Sequence, residues 1–197
     1  MPENKKKRPD SKRIWTVPNV LTMLRMALIP VYWMLMSQGK MIPALCVYIG
    51  ASLTDLADGY IARRFNQITD FGKLMDPLAD KLMVLSVMLS LVLPMGGREA
   101  VLSLWPFIVL LLKELLMVLG GLYMLKKGIV VYSAVIGKAA QFVMVLSLIC
   151  AFFYKQFDAA GAPVYLWLLY LAVGLTICAL IYYGVQALRQ LKGLGKE

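Results

Sequence analysis

The chain has 197 residues, of which 60% are hydrophobic and 16% charged, and 21 Lys and Arg against 11 Asp and Glu give a formal net charge of +10. A soluble domain is roughly half apolar and a quarter charged; here the apolar residues run in long blocks, and no basic patch stands on a polar domain, which argues against nucleic-acid binding. The absence of histidine excludes His-based catalysis and His metal ligation, and Cys46, Cys150 and Cys178 are too scattered for a disulfide scaffold or a zinc motif.

Residues 1–17 read as a basic cytoplasmic arm with Lys5, Lys6, Lys7, Arg8, Lys12 and Arg13. The apolar stretch that follows is interrupted by Arg25 and lacks a small-residue cleavage site, so no signal peptide is expected. A helix crosses the hydrocarbon with about 20 apolar residues. Six such spans are expected at 18–36, 41–65, 72–95, 100–125, 131–155 and 163–188. Pro18 suits a first helical turn, where its missing N–H is harmless. Turn residues mark the connections at Ser37-Gln38-Gly39-Lys40, Met95-Gly96-Gly97-Arg98-Glu99 and Asp158-Ala159-Ala160-Gly161-Ala162-Pro163. The expected fold is all-α: an integral membrane bundle of six transmembrane helices over 18–190, with a short tail at 191–197.

Orientation follows from Lys and Arg in the connections. They crowd the arm, the 63–73 connection, Lys126-Lys127 and the tail, against only Lys40, Arg98 and Lys155 on the other face. Both termini and the 63–73 connection are therefore expected in the cytoplasm.

Four aspartates stand in or beside the second and third spans: Asp55, Asp58, Asp76 and Asp80. An ionised side chain at mid-bilayer is unfavourable by roughly 2.5–3.5 kcal/mol on insertion scales, and four like charges together need cations. Asp55 and Asp58 are three apart, Asp76 and Asp80 four apart, so each pair shares a helix face. At about 1.5 Å per residue, Asp58 lies roughly 10 Å below the cytoplasmic helix ends, and Asp76 and Asp80 about 6 and 12 Å. The expected pocket is all-oxygen and strongly negative, and it suits Mg²⁺ or Mn²⁺. Two such ions could clamp a lipid-linked diphosphate. Gly59 and Ala62 leave room on the same face, Arg63 can fork onto a phosphate, and Gly72 lets a nucleotide ring approach the third helix. Helix packing is the plain alternative for each glycine, and caps or ion pairs with Arg63, Lys73 or Lys81 for the aspartates.

The run Asp55-x2-Asp58-Gly59-x2-Ala62-Arg63-x8-Gly72-x3-Asp76-x3-Asp80 resembles the signature of the CDP-alcohol phosphatidyltransferase family, matching every fixed position across 26 residues. The resemblance implies a six-helix membrane enzyme, usually a homodimer, with a divalent-metal site open to the cytoplasm, a CDP-linked donor and release of CMP. It makes Asp55, Asp58 and Asp76 metal ligands, and Asp80 the general base that also touches the second ion. It assigns Gly59, Ala62, Arg63 and Gly72 to the CDP moiety. Pro18-Asn19-Val20-Leu21-Thr22-Met23-Leu24-Arg25 looks like the family's first helix, with Asn19, Thr22 and Arg25 spaced three apart to reach the nucleotide or its diphosphate.

Phe71-Gly72-Lys73-Leu74-Met75-Asp76-Pro77-Leu78-Ala79-Asp80-Lys81 is similar to the bacterial phosphatidylglycerolphosphate synthase branch, which uses CDP-diacylglycerol and accepts sn-glycerol 3-phosphate. A phosphorylated acceptor needs further cations, and Lys138, Lys113 and Lys81 are the candidates within the spans. The chain departs from that branch in the fourth span: it reads Lys113-Glu114 for the first Arg-Glu, and Gly120-Gly121-Leu122 where a second is usual. The Asp-Pro-Leu-Ala-Asp-Lys stretch also occurs in the family's cardiolipin synthases, which accept phosphatidylglycerol. Outside the family, an intramembrane prenyltransferase would have other spacings, and a metal- or proton-coupled transporter would carry polar groups through the far halves of its spans.

Overall fold

The computed structural model of the protein describes residues 16–64, 70–126 and 135–194. Among them the secondary structure is helical throughout, apart from one isolated bridge between Met95 and Arg98. The helices are α1 (Val17–Ser37), α2 (Met41–Arg64), α3 (Asp70–Val92), α4 (Leu104–Lys126), α5 (Val135–Ala151), α6 (Tyr154–Ala159) and α7 (Val164–Leu194). They fall into two compact units, one reaching Ser90 and including Met95–Arg98, the other formed by Leu91–Pro94 and the chain from Glu99.

In the first unit, α1 starts on a capped turn. Thr16 is extended (φ −128°, ψ 156°) and its hydroxyl accepts the Asn19 N–H at 3.4 Å, which satisfies one of the donors that a helix start leaves over. Pro18 sits in the first turn as expected. The helix ends in a Schellman turn: Lys40 N–H donates to the Leu35 carbonyl and Gly39 N–H to that of Met36, each at 3.0 Å, with Gly39 at φ 72°. That turn returns the chain as α2, which packs along α1.

Gly96 seals the turn. At φ 60° it lies so close to the α1–α2 connection that a Cβ would stand 2.5 Å from the Met36 carbonyl oxygen. Gly96 and Gly97 both have positive φ and join Met95 to Arg98 through two backbone bonds of 3.1 Å, the geometry of a tight two-residue turn.

Side-chain bonds tie α1 to α3. Thr22 reaches Asp76 near the start of both helices, and Tyr32 meets Ser90 at 2.6 Å towards their ends. The two helices therefore run parallel. Ser90 Oγ donates to the Val87 carbonyl, so Tyr32 donates to Ser90, while Arg98 donates to the Ser90 carbonyl at 2.6 Å. These bonds satisfy polar groups in a unit whose core includes the buried Met36 and Met88.

In the second unit, α5 and α4 both pack on α7. Ala140, Met144, Ser147, Leu148 and Ala151 form the buried stripe of α5, at three- and four-residue intervals. Ser147 donates to the Tyr165 carbonyl at 2.8 Å, and Gly137 faces the Tyr183 ring, so α5 and α7 run antiparallel. Trp105 stacks on Tyr170 at 5.7 Å near the starts of α4 and α7, which run parallel. The expected fifth span stops early. Phe152 and Phe153 bond to the carbonyls of Ile149 and Cys150, a tighter three-residue turn that ends α5 at Ala151 and starts α6.

Among the described residues, three helices are long and apolar enough to cross a bilayer: Val17–Ser37, Leu104–Gly121 and Val164–Gln190, with Met41–Thr54 and Val135–Ala151 as shorter apolar segments. Their outer faces are apolar as well: Leu119 is 63% exposed, Phe142 71% and Ile181 61%. Water would penalise so continuous an apolar surface, whereas hydrocarbon does not.

Candidate functional site

The site is built where the first turns of α1 meet α3. Asn19, Thr22 and Arg25, spaced three apart, are all buried, with Arg25 only 1% exposed. A guanidinium that deep in an apolar span persists only beside compensating groups. This face of α1 is therefore a polar seam inside the unit.

Thr22 is the joint. Its hydroxyl lies 3.0 Å from the Pro18 carbonyl and 2.5 Å from Asp76 Oδ1. It has one proton, and the shorter contact to a carboxylate is the stronger bond. Asp76 is thus oriented through one oxygen. Asp80 lies one turn further along α3, and Gly72 is buried one turn before Asp76. As donors, the carboxylates of Asp76 and Asp80 offer hard oxygens, the ligand type that suits Mg²⁺ or Mn²⁺.

Asp80 and Arg25 line one small cavity of about 10 Å³, together with Tyr48, Ala51 and Ser52 of α2 and Met83 and Val84 of α3. Carboxylate and guanidinium thereby share a wall, which lowers the electrostatic penalty of burying either.

Of the residues expected from the sequence, the structure joins Thr22 to Asp76 and gathers Arg25 with Asp80. Asp55, Asp58, Gly59, Ala62 and Arg63 fall on the last turns of α2, and their side chains lie outside the described residues. Lys81 follows Asp80 on α3 and is half-buried. Lys113 and Lys138 belong to the second unit: Lys113 pairs with the buried Glu114 at 2.5 Å, and Lys138 is exposed near the start of α5.

Sequence reasoning passed over Tyr48 and Ser52. A signal was present: Tyr48 stands seven residues before Asp55, on the same side of a helical repeat, and a tyrosine within an apolar span asks for a partner.

The family model for CDP-alcohol phosphatidyltransferases matches residues 15–178. The chain is similar to a cardiolipin synthase (CMP-forming) of Streptomyces coelicolor, 38% identical over 122 residues, covering 58% of this chain and 54% of that protein. It is similar to the CDP-diacylglycerol--glycerol-3-phosphate 3-phosphatidyltransferase of Rickettsia bellii, 46% identical over 79 residues, covering 38% of this chain and 43% of the relative. An enzyme of the same name from Bacillus subtilis is 30% identical over 149 residues, 68% of this chain and 75% of that protein. In the first two, the chain spans about half the relative's length.

Proposed function

The chain belongs to the CDP-alcohol phosphatidyltransferase family, and from that membership we propose that it transfers the phosphatidyl group of CDP-diacylglycerol to sn-glycerol 3-phosphate. The products are phosphatidylglycerol phosphate and CMP. The observation that carries the reading is the Thr22–Asp76 bond. It aims a carboxylate of the family signature from α3 across to the polar seam of α1. The names of the Rickettsia and Bacillus relatives support the acceptor.

In the proposed reaction, Asp80 takes the proton of the acceptor's primary hydroxyl. That oxygen attacks the β-phosphorus of the donor, and the bond from this phosphorus to the bridging oxygen breaks, so CMP leaves in line. Asp55, Asp58, Asp76 and Asp80 would hold two Mg²⁺ or Mn²⁺ ions, which when bound neutralise the diphosphate and the departing oxygen. Asn19, Thr22 and Arg25, with Gly59, Ala62, Arg63 and Gly72, would hold the CDP moiety. Lys81, Lys113 and Lys138 are the candidate cations for the acceptor phosphate, and Lys138 leads because Lys113 is already paired with Glu114. Fixing both reactants in this way converts a bimolecular encounter into a positioned displacement.

The same reading places α1 to α5 and α7 across the cytoplasmic membrane with both termini and the site on the cytoplasmic side, and the protein as a homodimer. The basic arm, Lys126-Lys127 and the tail support that orientation.

A second acceptor has a specific observation behind it, the Streptomyces cardiolipin synthase together with the uncharged Gly120-Gly121 pair. An acceptor panel with labelled CDP-diacylglycerol and Mg²⁺ decides between them, comparing glycerol 3-phosphate, phosphatidylglycerol, serine, inositol and inositol phosphate. CMP release that depends on glycerol 3-phosphate is expected. Release that depends on phosphatidylglycerol would make the protein a cardiolipin synthase, and no release with any acceptor would end the proposal.

A further inference from the structure

The small cavity beside Asp80 has a feature that the transfer reaction leaves unexplained. Tyr48 is 0% exposed, and its hydroxyl makes no hydrogen bond of standard geometry among the described residues, although the Ser52 hydroxyl lies within reach of a weaker interaction with it. A buried hydroxyl left in that state is unfavourable, so native proteins rarely retain one without a partner. Ser52, one turn along α2, stands beside it but donates its own proton to the Tyr48 carbonyl at 2.9 Å. The Ser52 oxygen can therefore still accept.

The cavity lined by Tyr48, Ser52, Arg25 and Asp80 measures about 10 Å³. That is close to the space one water occupies, and a buried water needs two to four polar partners. The lining supplies them: the tyrosine hydroxyl, the serine oxygen, a carboxylate and a guanidinium. Ala51, Met83 and Val84 supply the apolar part of the lining.

We propose that one structural water sits there and links the Tyr48 hydroxyl to the Asp80 carboxylate, making Tyr48 a positioning residue for Asp80. Tyr48 touches neither donor nor acceptor. It acts by holding Asp80 in one rotamer, through a water that Ser52 and Arg25 also hold. The water is a claim about the first unit alone; its effect on turnover rests on the function proposed above.

The test combines a high-resolution structure of the full-length protein in lipid with kinetics of Tyr48→Phe and Ser52→Ala. Wild-type density should contain a water within hydrogen-bond distance of Tyr48 Oη and Asp80, and Tyr48→Phe should lose it. CMP release by Tyr48→Phe should show kcat lowered on the order of 10-fold, as for other residues that orient a ligand through a second group, with the KM for CDP-diacylglycerol unchanged. The Ser52→Ala change should act in the same direction, and the double variant should fall short of the product of the two. A hydroxyl that simply lacks a partner gives the opposite pattern. Tyr48→Phe would then raise the melting temperature and leave kcat alone, and that result overturns the proposal. A cavity without water density overturns it as well. Should the wild-type protein release no CMP with any acceptor, the transfer reading fails, and the density still decides the water.

Discussion

At the residue scale, Thr22 bears most directly on the chemistry. Its hydroxyl holds one oxygen of Asp76. Thr22→Val keeps the shape and removes the bond. Loss of a partner that orients a metal ligand weakens metal binding by about 10–100-fold. The Mg²⁺ concentration for half-maximal CMP release should rise by that order, with the melting temperature nearly unchanged; an unaltered Mg²⁺ titration would remove Thr22 from this role. Asp80→Asn keeps the size and removes the base. Turnover should fall by about 10²–10⁴-fold, the usual worth of a positioned general base, while the protein still elutes as a folded species. Full turnover in that variant would take the base role from Asp80.

At the scale of elements, the first unit depends on turns that admit no side chain. Gly96 has φ 60°, and a Cβ there would sit 2.5 Å from the Met36 carbonyl oxygen and 2.6 Å from the Gly39 nitrogen. Left-handed backbone alone disfavours alanine by about 1–2 kcal/mol, and the clash adds to it. Gly96→Ala should therefore lower stability by at least about 2 kcal/mol, read as a drop in the thermal midpoint in detergent. Gly97→Ala meets no neighbouring atom and carries the backbone term alone, so it should be milder. Equal effects at the two positions would show that the close approach to the α1–α2 turn is not what matters. The Tyr32–Ser90 bond does related work further along, linking α1 to α3 inside an apolar core where each polar group needs its partner.

At the scale of the whole molecule, the exposed apolar faces and the acidic signature make two demands on the surroundings. The faces require lipid. The carboxylates of the signature, in the proposed reaction, call for divalent cations. Chelation with EDTA should reduce CMP release to background, and added Mg²⁺ or Mn²⁺ should restore it; activity that withstands chelation would remove the metals from the proposed reaction. Cysteines placed at Lys40 and Arg98 should react with an impermeant thiol reagent on intact cells, whereas one in the basic arm should react only after permeabilisation. The reverse pattern would invert the proposed orientation.

Much of this was legible in the chain itself. Long apolar runs between Gly- and Pro-marked connections forecast the long helices to within about six residues, though not the short α6, because hydrophobic length and turn chemistry are local properties. The family signature was equally legible, since i,i+3 and i,i+4 spacing on a helix determines which residues share a face. Asn19, Thr22 and Arg25 drew notice for the same reason. Their burial, however, and the choice of Asp76 as the partner of Thr22 across 54 residues, required the helices to be placed side by side. So did Tyr32 with Ser90, and Tyr48 and Ser52 with Asp80, because nothing within one helix specifies which neighbour it packs against. Composition and spacing thus determined that this is a helical membrane protein carrying an acidic signature. Packing alone decided which hydroxyl holds Asp76 and which tyrosine stands next to Asp80, since contacts between distant segments depend on crossing geometry that no local pattern encodes.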